Sequence, residues 1–301
     1  MPVRRAVRVP ARRLLPVALA GLAVALTACG GGATAAPAEP APSSTAVRDV
    51  SLTVDGRERS YQLQPALGLP AGDQAALVVV LHQEGGTPAG VASETALQDL
   101  RRRGAALAYP AGVDRSWDAG ACCGTSSEQG IDDVAFLDAV LEDVPSQAPV
   151  DADRAALVGY SSGGMLTYRY VCQRPGRLAA AVVVSGSLES DCGESISTPD
   201  VLALHGKLDG TIGLDQARFI AALGLAPRAA VSSLGILTRS AGCDDVPATT
   251  AQDDAEVREW SGCRGGGRVQ AQLVPGAGHG WATLDASRRT LDFLGERLLA
   301  R

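Results

Sequence analysis

The stretch Ala155–Arg169, AALVGYSSGGMLTYR, holds a Gly-x-Ser-x-Gly pattern centred on Ser161. A serine hydroxyl is too weakly acidic to attack an acyl carbon unaided. A base has to take its proton, and a carboxylate has to orient that base. With 35 glycines in 301 residues the pattern alone says little. It gains meaning when the serine follows a strand, precedes a helix and is succeeded in the chain by an acid and then a histidine. The run before Ser161 reads as a strand and residues 163–173 as a helix. Gly159 and Gly163 supply the small residues that such a turn needs where backbone crowds backbone.

The chain has three histidines, His82, His205 and His279. Each ends an apolar run, at the edge where open parallel sheets hold ligands. His279, in the glycine-rich VPGAGHGW, is the candidate base. Asp209, in LALHGKLDG, is the candidate acid, with Asp215 in reserve. The order Ser161, Asp209, His279 is the one an α/β-hydrolase nucleophile requires. His205 is expected to bond loop backbone near Asp209, and His82 to play a structural part. His82 opens the loop HQEGG, where a backbone N–H of Gln83 or Glu84 would face an oxyanion together with the N–H of Ser162.

The elements that must position these residues can be read from hydrophobic period. Two extended runs flank Asp55-Gly56, a hairpin signal. ALVVVLH (76–82) suits a strand buried on both faces. Residues 89–103 read as a helix stopping at Gly104, 105–110 as a strand, and 111–130 as a long loop. DDVAFLDAVLEDV (132–144) reads as a helix ended by Pro145. Strands follow at 178–186, 200–206 and 268–276, and an amphipathic helix closes the chain at 285–300, with Leu291, Leu294, Leu298 and Leu299 on one face. Strands alternating with helices predict a mostly parallel sheet covered on both faces. Residues 214–263 break the rhythm and read as a rim insertion within one domain spanning 46–301.

The first 28 residues are expected to be a signal peptide. Five arginines precede an apolar run at Val17–Leu26 that is too short to span a bilayer. Leu26-Thr27-Ala28-Cys29 resembles a bacterial lipobox, which makes Cys29 the expected lipidated residue and 29–45 a Pro-rich flexible tether. Arg12-Arg13 leaves general secretion and twin-arginine export both open. The expected location is extracytoplasmic, on the membrane by a lipid anchor. Setting Cys29 aside leaves an even six cysteines, Cys122, Cys123, Cys172, Cys192, Cys243 and Cys263, which suits disulfides in an exported protein. Cys243 is expected to pair with Cys263. Cys122 and Cys123 are expected to bond to Cys172 and Cys192 rather than to each other. The net charge of −6 and the lack of a basic stripe past the N-terminus argue against nucleic acid as a partner. With no C-x-x-C pair, neither a metal nor a cofactor is expected, and no protein partner is indicated.

The segments VVVLHQEGGT, YPAGVDRSWDAGACCG, GIDDVAFLDAVLEDV, VGYSSGGMLTYRYVC, LALHGKLDG and GAGHGW together resemble the polyhydroxybutyrate depolymerase and feruloyl esterase family of secreted serine esterases, over about residues 57–300. The resemblance implies an α/β-hydrolase fold with nucleophile Ser161, acid Asp209 and base His279, and a cleft lined by Trp117 and Trp281. It also implies hydroxyalkanoate, acetyl, feruloyl or other aryl esters as substrates. Gln83 and Glu84 depart from the family's glycine-rich loop, Asp118 stands where Asn is usual, and Gly210 where Pro is common. A residue other than glycine at 83 must reach the loop's backbone angles, and a carboxylate at 84 opposes an oxyanion unless it points away. Soluble short-chain or aryl esters are the favoured substrates. The alternative is a binding lipoprotein that has kept the fold and lost turnover. A peptidase on this fold would need a site for a charged peptide terminus, and the sequence shows none.

Overall fold

The computed structural model describes residues 45–221 and 223–299. The expected signal peptide, Cys29 and nearly all of the tether lie outside the described residues. Among these, ten strands form one sheet: β1 (Arg48–Val54), β2 (Arg57–Gln64), β3 (Ala75–Leu81), β4 (Ala105–Pro110), β5 (Val150–Tyr160), β6 (Ala180–Val184), β7 (Asp200–Gly206), β8 (Ala248–Gln252), β9 (Ala255–Trp260) and β10 (Val269–Val274). Their spatial order is β1-β2-β4-β3-β5-β6-β7-β10-β9-β8. The β1–β2 hairpin turns on Asp55 and Gly56, both at positive φ, and β2 runs antiparallel to β4. From β4 across to β10 every pairing is parallel. Most of the connections between these strands carry helices, as parallel neighbours usually require, while β6 and β7 are joined by the irregular segment 185–199.

β3 shows why the centre is parallel. All seven of its residues are buried. Leu77, Val79 and Leu81 join the core on one face of the sheet, and Val78 and Val80 join the core on the other. A strand with period 2 can be apolar at every position only if both faces are covered. The helices doing this are α1 (Pro88–Thr95), α2 (Gly124–Glu128), α3 (Asp133–Gln147), α4 (Ser162–Gln173), α5 (Ala230–Ala241) and α6 (Ala286–Leu294).

Several boundaries differ from the reading of the sequence. The helix expected over 89–103 breaks at Ala96, which has φ 49, and resumes as a 3₁₀ turn over Leu97–Arg103 before Gly104. Three residues per turn stack Leu97 directly over Leu100, and both are fully buried. α3 runs through Pro145 to Gln147. Pro145 falls in the last turn, so it removes one hydrogen bond, and the N–H of Ala148 closes the turn onto Val144 O. The closing helix changes to a π turn at Gly295–Leu299. Leu294 and Leu298 are buried, with Leu291 and Leu299 packed partly against the same core. Residues 214–263 do more than decorate the rim. Their β8–β9 hairpin pairs antiparallel with β10 and extends the sheet by two strands.

The cysteine pairing is also corrected. Cys243 bonds to Cys263 as expected, but Cys172 bonds to Cys192, and Cys122 and Cys123 bond to each other. The reason is distance along α4. Cys123 lies beside Met165 near the start of that helix, with sulfurs 3.7 Å apart. Cys172 is seven residues further on, roughly 10 Å along the axis at 1.5 Å per residue. That exceeds the Cα separation a disulfide can bridge, about 7 Å.

Candidate active site

Ser161 sits between β5 and α4 with φ 54 and ψ −117, a conformation that costs energy for a residue with a side chain. Its neighbours make the turn possible. A Cβ on Gly159 would collide with Gly163 O, and a Cβ on Gly163 would lie 2.6 Å from Leu81 O. The N–H of Ser161 donates to Val184 O at 2.9 Å, tying the turn to β6. The serine is thereby lifted above the C-terminal edge of the sheet. β7 and β10 end at the same edge and deliver Asp209 and His279 to it.

His279 Nε2 is 2.9 Å from Ser161 Oγ, and His279 Nδ1 is 2.8 Å from Asp209 Oδ2. With Nδ1–H donating to the carboxylate, Nε2 is left to accept the serine proton. Asp209 is 3% exposed. Its Oδ1 accepts the N–H groups of Thr211 (2.8 Å) and Ile212 (2.9 Å). Burial alone would raise its pKa. The bond from His279, the nearby imidazoles of His279 and His205, and the Ile212 N–H outweigh burial, and Asp209 is held below the usual carboxylate value. Asp215 is exposed and not bonded to His279. Its place as reserve acid falls to Asp209.

The other two histidines are held by backbone. His205 Nε2 donates to Ile212 O at 2.9 Å and lies 3.5 Å from Asp209 Oδ2, so it braces the Asp209 turn. His82 is fully buried. Its Nδ1–H donates to Gln83 O (2.8 Å), and its Nε2 accepts the N–H of Gly112 (3.1 Å). Burial lowers the pKa of both rings, which keeps them neutral.

Neither Gln83 nor Glu84 has a positive φ. In this turn the left-handed residue is Gly85, at φ 73. The usual glycine at 83 is therefore not required here for its backbone freedom. Gln83 O also accepts the N–H of Gly86, and the N–H of Gly85 donates to Arg115 O, both at 2.8 Å. Across from this loop, Ser162 opens α4, where the first N–H groups have no acceptor within the helix.

The loop after β4 is moored from below. Asp133 accepts the Asp118 N–H on Oδ2 at 2.7 Å and pairs with Arg59 on Oδ1 at 2.7 Å. Asp118, where the resembling family has Asn, pairs with Arg169 of α4 at 2.8 Å and accepts the N–H of Gly120. The positive charge of Arg169 explains why a carboxylate is accommodated there. At Gly210 a Cβ would meet open space, so the absence of Pro leaves no steric mark.

Trp117 and Trp281 do not line the cleft. They are 0% and 2% exposed. Trp117 Nε1 donates to His82 O, and Trp281 Nε1 to Ser287 Oγ. Trp281 meets Tyr160 edge-on at 5.9 Å, and Tyr160 lies 5.8 Å from the His279 ring. Both indoles support loops from beneath. The cavity beside Ser161, about 210 Å³, is walled instead by Cys123, Met165, Ile212, Ile220, Leu223 and Glu84. Met165 carried a sequence signal, since it lies one helical turn after Ser161. Ile220 and Leu223 belong to the 214–263 segment that broke the strand–helix rhythm, with Ile212 just before it, and nothing local there announced this role. No group of three or more His, Cys, Asp or Glu suited to a metal occurs among the described residues.

These features define the α/β-hydrolase fold, and comparisons agree. An acetyl xylan esterase from Aspergillus awamori superposes with a TM-score of 0.64 at 18% identity, over 84% of this chain and all of that one. In sequence, the chain is 32% identical to "Putative esterase NocK" of Nocardia uniformis subsp. tsuyamanensis over 63% of both chains. It is 30% identical to feruloyl esterase C of Emericella nidulans over 54% of this chain and 58% of the relative. The chain thus spans about three fifths of the length of the curated relatives it matches. No protein-family model matches it. The likeness to feruloyl esterases carried by the short motifs is found again over the longer alignments.

Proposed function

We propose that the chain is a serine esterase working outside the cytoplasm, held to the membrane through Cys29. The observation that carries the catalytic part is the relay Ser161 Oγ–His279 Nε2 and His279 Nδ1–Asp209 Oδ2, at 2.9 and 2.8 Å, on a strained turn between strand and helix. The named esterase relatives support the reaction class. Three disulfides within the described residues support an oxidising compartment.

In this reading Ser161 Oγ attacks the ester carbonyl while His279 Nε2 takes its proton. The N–H groups of Ser162 and of Gln83 or Glu84 bind the oxyanion. The tetrahedral adduct collapses, the C–O bond to the alcohol breaks, and His279 returns its proton to the departing oxygen. Water then enters, gives a proton to His279 and attacks the acyl-enzyme. A second collapse releases the acid and restores the serine hydroxyl. Asp209 orients His279 and stabilises the imidazolium without taking the proton itself. The apolar cavity of about 210 Å³ is below the usual range for drug-sized ligands, and favours a short-chain or single-ring acyl group.

The test uses the soluble form beginning near Ala33. It is treated with a fluorophosphonate and weighed intact, with Ser161→Ala and His279→Ala in parallel, and then given esters from 4-nitrophenyl acetate to methyl ferulate. Single rapid labelling lost in both variants, with turnover of at least one ester, is expected. A folded, oxidised sample that neither labels nor turns over any ester means that the fold is retained for binding alone.

A further inference from the structure

We propose that Glu84 makes the cavity beside Ser161 a site for acyl groups that carry a positive charge. This rests on the esterase reading and narrows its substrate class.

Glu84 is the one ionisable side chain in the cavity wall. The rest of the lining is Met165, Ile212, Ile220, Leu223 and Cys123, with Thr211, Ser161 and Ser162 the other polar residues. Its carboxylate has no hydrogen-bond or ion-pair partner among the described residues. Arg115, whose guanidinium lies against Gly85 of the same loop, is committed elsewhere. Its Nε donates to Gly85 O at 2.6 Å, and an Nη does the same. The residue as a whole is exposed, yet one carboxylate oxygen is lodged against the backbone of Gly124. A Cβ at Gly124 would come within 2.5 Å of Glu84 Oε1. Glycine at 124, with φ 56, is what lets the carboxylate rest there. The same wall includes Ser162, whose buried hydroxyl also has no partner.

A carboxylate left unpaired at the edge of an apolar cavity discriminates by charge. A neutral acyl group strips water from it and returns nothing. An anionic acyl group adds repulsion, in surroundings that screen less than water. An ammonium group recovers the lost hydration as an ion pair, and the aliphatic walls accept its carbon substituents. The chain's net charge of −6 gives the long-range field the same preference. The charged-terminus site that a sequence reading could not find is thus supplied by a residue that departs from the resembling family's loop.

The experiment compares 4-nitrophenyl esters of nearly equal size: 4-(trimethylammonio)butyrate, 5,5-dimethylhexanoate and the glutarate monoester, with spontaneous hydrolysis subtracted. The readout is the ratio of kcat/KM between cationic and anionic esters, which is independent of any change in absolute rate. We expect a ratio of about 100 in the native protein, roughly tenfold for each unit of charge. It should collapse towards one in Glu84→Gln and invert in Glu84→Lys. A ratio near one in the native protein, or one unchanged in Glu84→Gln, overturns the assignment. If none of the three esters is turned over while Ser161 labels and 4-nitrophenyl acetate is hydrolysed, the Glu84 assignment falls. If no ester is turned over and Ser161 does not label, the esterase reading falls, and calorimetry with 4-(trimethylammonio)butyramide and glutaramate decides the Glu84 assignment alone. Tighter binding of the cationic amide, lost in Glu84→Gln, upholds it. Equal or absent binding sinks it.

Discussion

At the scale of single residues, Asp209 links the reaction to stability. It is buried, accepts three N–H bonds, and is held below the ordinary carboxylate value. The folded state therefore binds its proton less readily than the unfolded chain does. Its contribution to stability is complete above the unfolded value of about 3.9 and is lost as pH falls through the lower folded value. Asp209→Asn removes that dependence. Urea midpoints measured from pH 5 down to 2 are expected to fall less steeply for the variant than for the native protein. In the same variant ester hydrolysis should drop by about 10⁴-fold, because the amide no longer fixes the tautomer that leaves Nε2 free to accept. A variant with near-native kcat would remove Asp209 from the mechanism. Ser161, Asp209 and His279 were legible in the sequence because chemistry restricts them to few residue types in one chain order. The cavity walls were not. Leu, Ile and Met serve equally well in a core, and only tertiary placement brings Ile212 and Leu223 beside Ser161.

At the scale of elements, the chain shows how a strand edge is turned into a site. Gly163 lies at the crossing of α4 and β3, where a methyl group would meet Leu81 O and His82 O, both backbone. Gly163→Ala is expected to lose about 1–3 kcal/mol of stability and to slow fluorophosphonate labelling, since relief requires α4 to move with the Ser161 turn. Unchanged labelling in a stable variant would show that the turn tolerates the shift. A second support is the ion pair of Arg59 and Asp133, which joins β2 to the start of α3 and is almost wholly buried. Burial pushes the arginine down and the aspartate up, against the attraction between them. The pair is therefore costly to form, and costlier still to break from one side. Asp133→Ala leaves Arg59 charged over the ring of Phe136 without its carboxylate, bonded to Ala111 O, and frees the Asp118 N–H. A loss of about 3–5 kcal/mol by urea denaturation is expected. The elements themselves could be read from hydrophobic period. Their ends could not, because the break at Ala96 and the run through Pro145 are decided by what Leu97, Leu100 and Val144 reach in the core. The edge strand β8 and its neighbour β9 were hidden as well. All five residues of β8 are exposed, so it carries no apolar alternation to detect.

At the scale of the whole molecule, the three disulfides divide into two kinds. Cys172–Cys192 and Cys243–Cys263 each span a sequence separation of 20 residues. Loop-closure entropy for such a separation is worth about 3 kcal/mol. Cys243 and Cys263 bracket the β8–β9 hairpin and hold it to the end of α5, so the Cys243→Ala, Cys263→Ala double variant should lose about that much unfolding free energy in urea denaturation. Cys122–Cys123 has a separation of one and closes no loop whose entropy could matter. Its position gives it a different part. Cys123 stands in the cavity wall beside Ser161 and Met165, and the loop carrying it is anchored through Asp118 to both Asp133 and Arg169. Cys122→Ser, Cys123→Ser replaces two joined apolar sulfurs by hydroxyls that the apolar wall cannot satisfy, and it releases the constraint that keeps Cys123 in place. The expected outcome is a urea midpoint close to native with KM for short-chain esters raised several-fold, while fluorophosphonate labelling of Ser161 persists. A large fall in midpoint with KM unchanged would instead make this bond a structural clamp, and would shift the shaping of the acyl cavity to Met165 and the 212–223 segment.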